Sequence, residues 1–178
     1  MKKTFYVIAV AISAIAFVSC DKLIEWAFKS YEANIEFQTN IDPVLAGVTG
    51  TLGTSTVSYN LDAEVRKNTE NKVGADFITQ MYVKNITITA TNANATNNLS
   101  NFETMSIVLN DGSGPVTIGP FSIPNSNLTT ISLPVTDSPN IRRFFNGSNV
   151  SFAIIGKART ETNIRLNIDV SSTIRFDK

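Results

Sequence analysis

The fourteen residues before the C-terminal lysine alternate between two sets of side chains, and this pattern constrains the fold more than any other feature. The even positions are Ile164, Leu166, Ile168, Val170, Ser172, Ile174 and Phe176, and the odd positions are Arg165, Asn167, Asp169, Ser171, Thr173, Arg175 and Asp177. A period of two is that of a β-strand with one buried face, which is typical of antiparallel sheets. We expect the even-numbered side chains, apart from Ser172, to face the core. Because strands usually have about 5–6 residues, this long strand is predicted to bend at Ser171 and Ser172 and to join two sheets.

Shorter segments of the same period occur throughout the chain after residue 33. They predict strands near residues 35–41, 57–61, 78–90, 105–109, 116–118, 131–135 and 150–154, with Tyr82, Ile86 and Ile88 on one face of the third. Residues 47–56 are interpreted as a connection rich in Gly and Thr, and residues 62–76 as a solvated loop or a single helical turn. Residues 91–98 are predicted to form a polar loop too weakly apolar to pack.

One segment favours a helix, near residues 138–146. Asp137 or Ser138 is placed to cap it, Pro139 suits a first turn, and Gly147 is placed to end it. Asn, Thr and Ser make up 55 of the 178 residues, and Ile and Val together supply 33 of the apolar residues, as is typical of β-proteins. We therefore predict an all-β protein, an antiparallel β-sandwich of seven to nine strands with one short helix; the alternative is an up-and-down barrel.

The N-terminus has the pattern of a secretory signal. Lys2 and Lys3 precede an apolar run from residue 5 to residue 18, which is too short to span a bilayer as a mature helix. Residues 17–20, Phe-Val-Ser-Cys, resemble a bacterial lipobox, although Leu is usual where Phe17 stands. This resemblance implies that Cys20 becomes the acylated N-terminus. We expect a signal peptide at 1–19, a lipid-anchored lead-in at 20–32, short and helical or irregular, and one β-sandwich domain at 33–178.

Several kinds of chemistry are excluded by the residues that the chain lacks. There is no histidine, which removes Ser-His-Asp and Cys-His catalysis and imidazole metal sites. A single cysteine excludes an internal disulfide and paired-cysteine zinc sites. Fifteen basic residues balance fifteen acidic ones, so the net charge does not indicate a nucleic-acid partner. We expect no catalytic residue, no cofactor and no metal site, and therefore no enzyme.

A few residues are nevertheless candidates for hidden chemistry. Glu32 with Glu36, or Glu64 with Glu70, could form a glycosidase pair, although such pairs are defined by their separation in space. Residues 110–114, Asn-Asp-Gly-Ser-Gly, offer oxygen ligands for calcium, but an Asp-Gly pair between strands favours a hairpin turn. The adjacent Arg142 and Arg143 could bind an anion, but we interpret them as a solvated face. Lys84 and Lys157 lie in strands of alternating polarity. A lysine in such a strand usually covers apolar neighbours with its aliphatic stem and keeps its charged group in water.

The order of these parts resembles that of small β-sandwich lipoproteins of Gram-negative bacteria. The resemblance covers about residues 55–178, and it rests on segments 83–89, 101–109 and 131–135 and on the long terminal strand. It implies a fold and a location in the cell envelope, most simply the outer membrane, and no activity. The leading hypothesis is a non-enzymatic structural or binding module. It is anchored to the membrane through a lipid on Cys20, and its partner is an envelope protein or a glycan. The alternatives are an envelope enzyme acting on glycans through carboxylates and an accessory carbohydrate-binding lipoprotein.

Overall fold

The computed structural model describes residues 30–163 and 165–177; the side chains of residues 168–171 and 173 fall outside that description. Cys20, the signal segment and most of the lead-in therefore lie outside the described residues. Eight strands are present in the described part: β1 (Tyr31–Ile41), β2 (Thr49–Ser58), β3 (Gln80–Ala90), β4 (Phe102–Asn110), β5 (Pro115–Ser122), β6 (Thr130–Pro134), β7 (Asn149–Ala158) and β8 (Leu166–Asp177). The first strand begins two residues before the predicted domain boundary.

The strands pair as a long hairpin that has been rolled up. β1 pairs with β8, β2 with β7, β3 with β6 and β4 with β5, and all of these pairs are antiparallel. Rolling the hairpin brings β8 beside β3 and β7 beside β4, which gives two four-stranded sheets in the orders β1-β8-β3-β6 and β2-β7-β4-β5. This nesting is the jelly-roll form of the antiparallel sandwich. The predicted fold class is confirmed.

The core lies between the two sheets. On β1, every second residue from Ala33 to Ile41 is buried, as the period of two predicts. Phe37 of β1 stacks on Phe152 of β7, with ring centroids 4.3 Å apart, so that one aromatic pair joins the two sheets. Burial of such side chains stabilises the fold by roughly 1.5–3 kcal/mol each.

At the described positions the terminal strand alternates as predicted, except that Ser172, which we expected not to face the core, is buried with the apolar residues. Leu166, Ser172, Ile174 and Phe176 are buried, whereas Arg165, Asn167 and Arg175 are exposed. The predicted bend into a second sheet is wrong. β8 lies in a single sheet between β1 and β3, paired with β1 from Phe176 opposite Tyr31 to Leu166 opposite Ile41. Because both neighbours have eleven residues, they match β8 along its length and no second sheet is needed.

The predicted connection at residues 47–56 is also wrong, because most of it is β2. In this part of the fold, β2 passes close to β1, and small or hydroxyl-bearing residues of both strands make the contact. The Thr39 hydroxyl donates to the Thr54 carbonyl at 2.8 Å, and the Ser55 hydroxyl donates to the Gln38 carbonyl at 2.7 Å. A Cβ atom at Gly53 would collide with the Asn40 carbonyl oxygen. The composition that indicated a loop therefore reflects close approach of two backbones.

The regular helix does not lie where the sequence favoured it. Residues 138–146 contain a short 3-10 helix at Arg142–Phe145, whereas an α-helix of eight residues, α1, forms at Leu61–Asn68, where the sequence predicted a loop or a single helical turn. Asn60 caps α1 by accepting from the Ala63 amide at 2.9 Å. Ser138 does not cap a helix, because its hydroxyl oxygen accepts from the Val83 amide at 2.8 Å.

The prediction that residues 91–98 are too weakly apolar to pack is wrong. Asn97 and Asn98 are buried. The side-chain amide of Asn97 donates to Asn163 Oδ1 at 2.8 Å, and Asn98 Oδ1 accepts from the backbone amide of Ser100 at 2.9 Å. These side chains pack because their polar atoms find hydrogen-bond partners, which an estimate from apolar content cannot detect.

Candidate functional site

An irregularity in β3 determines which side chains reach the outer face of its sheet. The pairing register with β8 shifts between Val83 and Asn85, so that Met81 and Val83 face the core before the shift and Ile86 and Ile88 face it afterwards. The prediction that Tyr82 shares a face with Ile86 and Ile88 is therefore wrong. Its ring is partly exposed on the outer face of the sheet.

Tyr82 lines an open groove with a cavity volume of about 490 Å³. The walls come from β3, from residues 135–138 after β6, and from the end of β8. Ligand sites in proteins typically measure about 300–1,000 Å³, so the groove is large enough for a small molecule. It lies beside the start of β1, because β8 pairs Phe176 with both Tyr31 and Met81.

The floor of the groove is a Tyr82–Arg175 pair on neighbouring strands. The Arg175 guanidinium carbon lies over the Tyr82 ring, 5.8 Å from its centroid, and Arg175 Nη2 is 2.6 Å from Asp177 Oδ2. The Tyr82 hydroxyl donates to Gln80 Oε1 at 3.0 Å. The cation is therefore held by a ring and a carboxylate together, which fixes the ring of Tyr82 in the groove.

Most of the charges in the groove are paired. Lys84 forms an ion pair with Glu32 across the sheet, and Arg175 pairs with Asp177. Asp137 is exposed, and among the residues that the structure describes it has no ion-pair partner; its carboxylate lies 3.5 Å from the Thr136 hydroxyl. The groove with its immediate ion pairs therefore carries one surplus negative charge.

The segment after β6 forms a fixed wall, because its backbone and its side chains both bond to the backbone of β3. The Val135 amide donates to the Lys84 carbonyl at 2.9 Å, and Asn140 Oδ1 accepts from the Met81 amide at 3.1 Å. Ser138 accepts from the amide of Val83 in the same way. Residues 135–140 thus continue the sheet edge through one backbone bond and two side-chain bonds, and these bonds position Asp137 beside the groove.

The candidate glycosidase pairs are not brought together as a site. Glu32 and Glu36 are four residues apart on β1, so the rise of a strand places their Cα atoms about 13 Å apart. The Glu32 carboxylate forms an ion pair with Lys84 on β3, so it is directed across the sheet and not along β1 toward Glu36. Glu64 accepts from the Asn68 side chain at 3.0 Å, and Glu70 pairs with Lys72 at 3.2 Å. These four carboxylates therefore have surface roles.

The Asn110–Gly114 segment is a turn, as its preferred interpretation predicted. Asn110 Oδ1 accepts from the Gly112 amide and Asp111 Oδ1 from the Ser113 amide, both at 2.9 Å. Gly112 and Gly114 have positive φ angles of 86° and 124°. Within residues 30–163 and 165–177, no three acidic, histidine or cysteine side chains are grouped to hold a metal ion.

The interpretation of Arg142 and Arg143 as a solvated face is wrong for Arg142. Its guanidinium donates to the Ile78 carbonyl at 2.8 Å and to the Ala75 carbonyl at 3.3 Å, and so connects two segments of the chain. Arg143 is exposed, but it donates to the Gly114 carbonyl at 2.6 Å. Lys84 and Lys157 are both partly exposed and ion-paired, to Glu32 and Glu103.

Sequence reasoning missed the groove. Arg175 and Asp177 belong to the polar face of the terminal alternation, so their exposure was predicted, but their neighbours on β3 depend on the register. The signal that sequence reasoning did not use was Lys84, a charged residue on the face predicted for Tyr82, Ile86 and Ile88, which is compatible with a break in the alternation of β3.

No protein-family model matches the chain, and no curated protein matches it in sequence. Solved structures with a similar fold include the decameric BFDV capsid protein, at 9% identity and a TM-score of 0.34, over 85% of this chain and 99% of that one. A nora virus structure has 8% identity and a TM-score of 0.38, over 84% and 61%. The family 32 carbohydrate-binding module of C. perfringens NanJ, solved with galactose, has 10% identity and a TM-score of 0.31, over 76% and 99%. At such scores, function has to be argued from the residues of this chain.

Proposed function

We propose that the protein is a non-enzymatic binding module of the bacterial cell envelope, anchored by a lipid on Cys20. The observation that carries the binding role is the groove beside Tyr82, in which an aromatic ring lies among exposed polar groups. Pockets of this size with a few convergent polar groups are typical of binding sites.

The anchor is supported by the position of Cys20 at the end of a signal-type apolar run. Several acyl chains on one cysteine give stable attachment, since each buried CH₂ contributes about 0.8 kcal/mol. Eleven residue steps separate Cys20 from Tyr31, which span at most about 40 Å when fully extended. We propose that the groove, which lies beside the start of β1, is at the end of the domain near the membrane, and that the protein is located at the outer membrane. In the described part of the chain, no helix combines the length and the apolar character needed to cross a bilayer.

The anchor is tested by labelling bacteria that express the protein with a fatty-acid analogue, followed by separation of inner and outer membranes. Wild-type protein should take up the label and fractionate with the outer membrane, and Cys20→Ala should not be labelled. Ser19→Ala is the matched control, because it keeps a small residue before Cys20. Absence of label from the wild type would overturn the anchor.

A second candidate function, an envelope enzyme acting on glycans through carboxylates, is favoured by one observation. Asp137 and Asp177 line the same groove. An enzyme would release reducing sugar from an oligosaccharide, and Asp137→Asn would abolish that release while leaving the fold intact. A binding module would hold the oligosaccharide without cleaving it, so product analysis separates the two functions.

A further inference from the structure

We propose that the groove beside Tyr82 binds a neutral saccharide, with a sugar ring packed against Tyr82 and hydroxyl groups bonded to Asp137 and Gln80. This proposal rests on the binding role proposed above and names the chemical class of the ligand. Three features of the groove support it: the hydrogen-bonding groups that line it, its net charge, and the position of the Arg175 guanidinium over the Tyr82 ring.

The polar atoms of the groove suit a ligand that both donates and accepts hydrogen bonds. The Asp137 carboxylate only accepts, whereas the Gln80 amide has both donors and an acceptor, and the Thr136 hydroxyl does both. A sugar presents several hydroxyl groups of this dual character within a few ångströms of one another. The Tyr82 ring adds an apolar surface against which the C–H groups of a sugar can pack.

The charge of the groove argues against an anionic ligand. Within the part of the chain that the structure describes, its two cations are neutralised in place, Lys84 by Glu32 and Arg175 by Asp177. Asp137 adds a negative charge at the rim, so a uronic acid or a phosphate would be repelled and would find its cationic partners already paired.

The contact between Arg175 and Tyr82 argues against a cationic ligand. A ligand cation that used the ring of Tyr82 would have to compete with the guanidinium that already lies over it, 5.8 Å from the centroid. A neutral ligand brings no charge that would displace the guanidinium, so it can pack against the partly exposed ring and leave the Arg175–Asp177 pair intact.

The proposal is tested with the full chain purified in detergent. Three sets of probes are titrated: neutral glucan, mannan, galactan and xylan oligosaccharides, oligogalacturonate, and polylysine. At least one neutral oligosaccharide should bind, with an affinity that falls about tenfold or more in Tyr82→Ala. Tyr82→Phe should retain most of the affinity, because it keeps the ring. Asp137→Asn should weaken binding several-fold, and this exposed residue provides the test if Tyr82→Ala fails to fold.

Gln38→Ala is the matched control, because Gln38 lies in a separate polar pocket of about 270 Å³ with Asn40 and Asn167. Binding of that neutral oligosaccharide should be unchanged in this variant. The proposal is overturned if none of the neutral probes binds, if Tyr82→Ala and Asp137→Asn bind as the wild type does, or if only polylysine or oligogalacturonate binds. The anchor is judged separately: Cys20→Ala should still bind the oligosaccharide, so a failed anchor and a failed saccharide site give different results.

Discussion

At the end of the sandwich where β1 finishes, polar side chains, three of them buried asparagines, bond to backbone carbonyls and to one another, whereas at the end where β1 begins polar side chains line an open groove. In the first region, the Asn101 side chain donates to the carbonyls of Thr96 and Glu161, both at 3.1 Å. Arg159 donates to the carbonyls of Ser100, Phe102 and Ile123. We call Asn97, Asn98, Asn101, Arg159 and Asn163 the asparagine network. In the groove, Asp137 and Gln80 remain exposed.

The two regions therefore differ in what their polar groups do. In the asparagine network they form hydrogen bonds within the fold, whereas in the groove they are exposed and can bond to a ligand. A buried amide or guanidinium stabilises the fold only when its partners are present, because an unpaired buried polar group costs about 1–3 kcal/mol. An exposed carboxylate such as Asp137 can be changed with little effect on stability and is free to bond to something else. Variants in the two regions should therefore affect different measurements.

The largest expected effect comes from Arg159→Met in the asparagine network. The substitution keeps most of the aliphatic stem but leaves three backbone carbonyls without their donor. We expect a loss of about 3 kcal/mol in the free energy of unfolding and a fall of about 6–12 °C in Tm. Urea unfolding and a thermal melt of the purified chain measure both.

Arg175→Met is the matched control for this prediction, since it makes the same change in the groove. Arg175 belongs to a surface ion pair, so its loss should cost no more than about 1 kcal/mol. If the two variants were destabilised equally, the asparagine network would stabilise the fold no more than the groove does, which would contradict the comparison.

The strands of this fold were largely predictable, because burial along a strand follows a period of two. The alternation on β1 and at the described positions of β8 agrees with the sequence pattern. Most of β2 was missed, and the predicted strand near 57–61 overlaps only its end, because Gly53 serves a close contact with another strand. That contact, between Gly53 and the carbonyl of Asn40, is not visible in local sequence.

A second, smaller effect is expected from Asn101→Leu. The variant is similar in size but removes two donated bonds from the network. We expect it to cost about 2 kcal/mol in the free energy of unfolding, because Thr96 and Glu161 lose a partner for their carbonyls. Asn125→Leu, the same substitution at an exposed position, should change stability by less than about 0.5 kcal/mol. If the two variants have the same urea midpoint, the network does not stabilise the fold.

The candidate site was less predictable than the fold, for a physical reason. Each of its parts could be assigned to a strand or to a loop, but the groove exists only because Tyr82 and Arg175 are opposite each other across two strands that are far apart in sequence. That register depends on the shift after Val83, and one residue more or less reverses which side of the sheet Tyr82 occupies. Likewise, the burial of Asn97 depends on its partner Asn163, 66 residues away.

The smallest expected effect concerns pH and extends the comparison to carboxylates with a structural role. Asp62 accepts from the Ala75 amide at 2.9 Å and from Arg66 Nε at 2.6 Å. The hydrogen bond from the backbone is the larger cause, and with Arg66 it holds the pKa of Asp62 below its ordinary value. The Lys157 ammonium lowers the pKa of Glu103 in the same way.

Because these pKa values are lower in the folded state than in the unfolded state, the unfolded chain binds more protons in acid. The stability that the two groups contribute is therefore fully present above about pH 4–5, where the unfolded carboxylates are ionised, and it is lost as the pH falls through the folded values. We expect the urea midpoint of the wild type to fall below pH 4. The fall should be shallower in Asp62→Asn and in Glu103→Gln, and shallowest in the double variant. A double variant whose midpoint falls as steeply as that of the wild type would show that the acid sensitivity arises from other carboxylates.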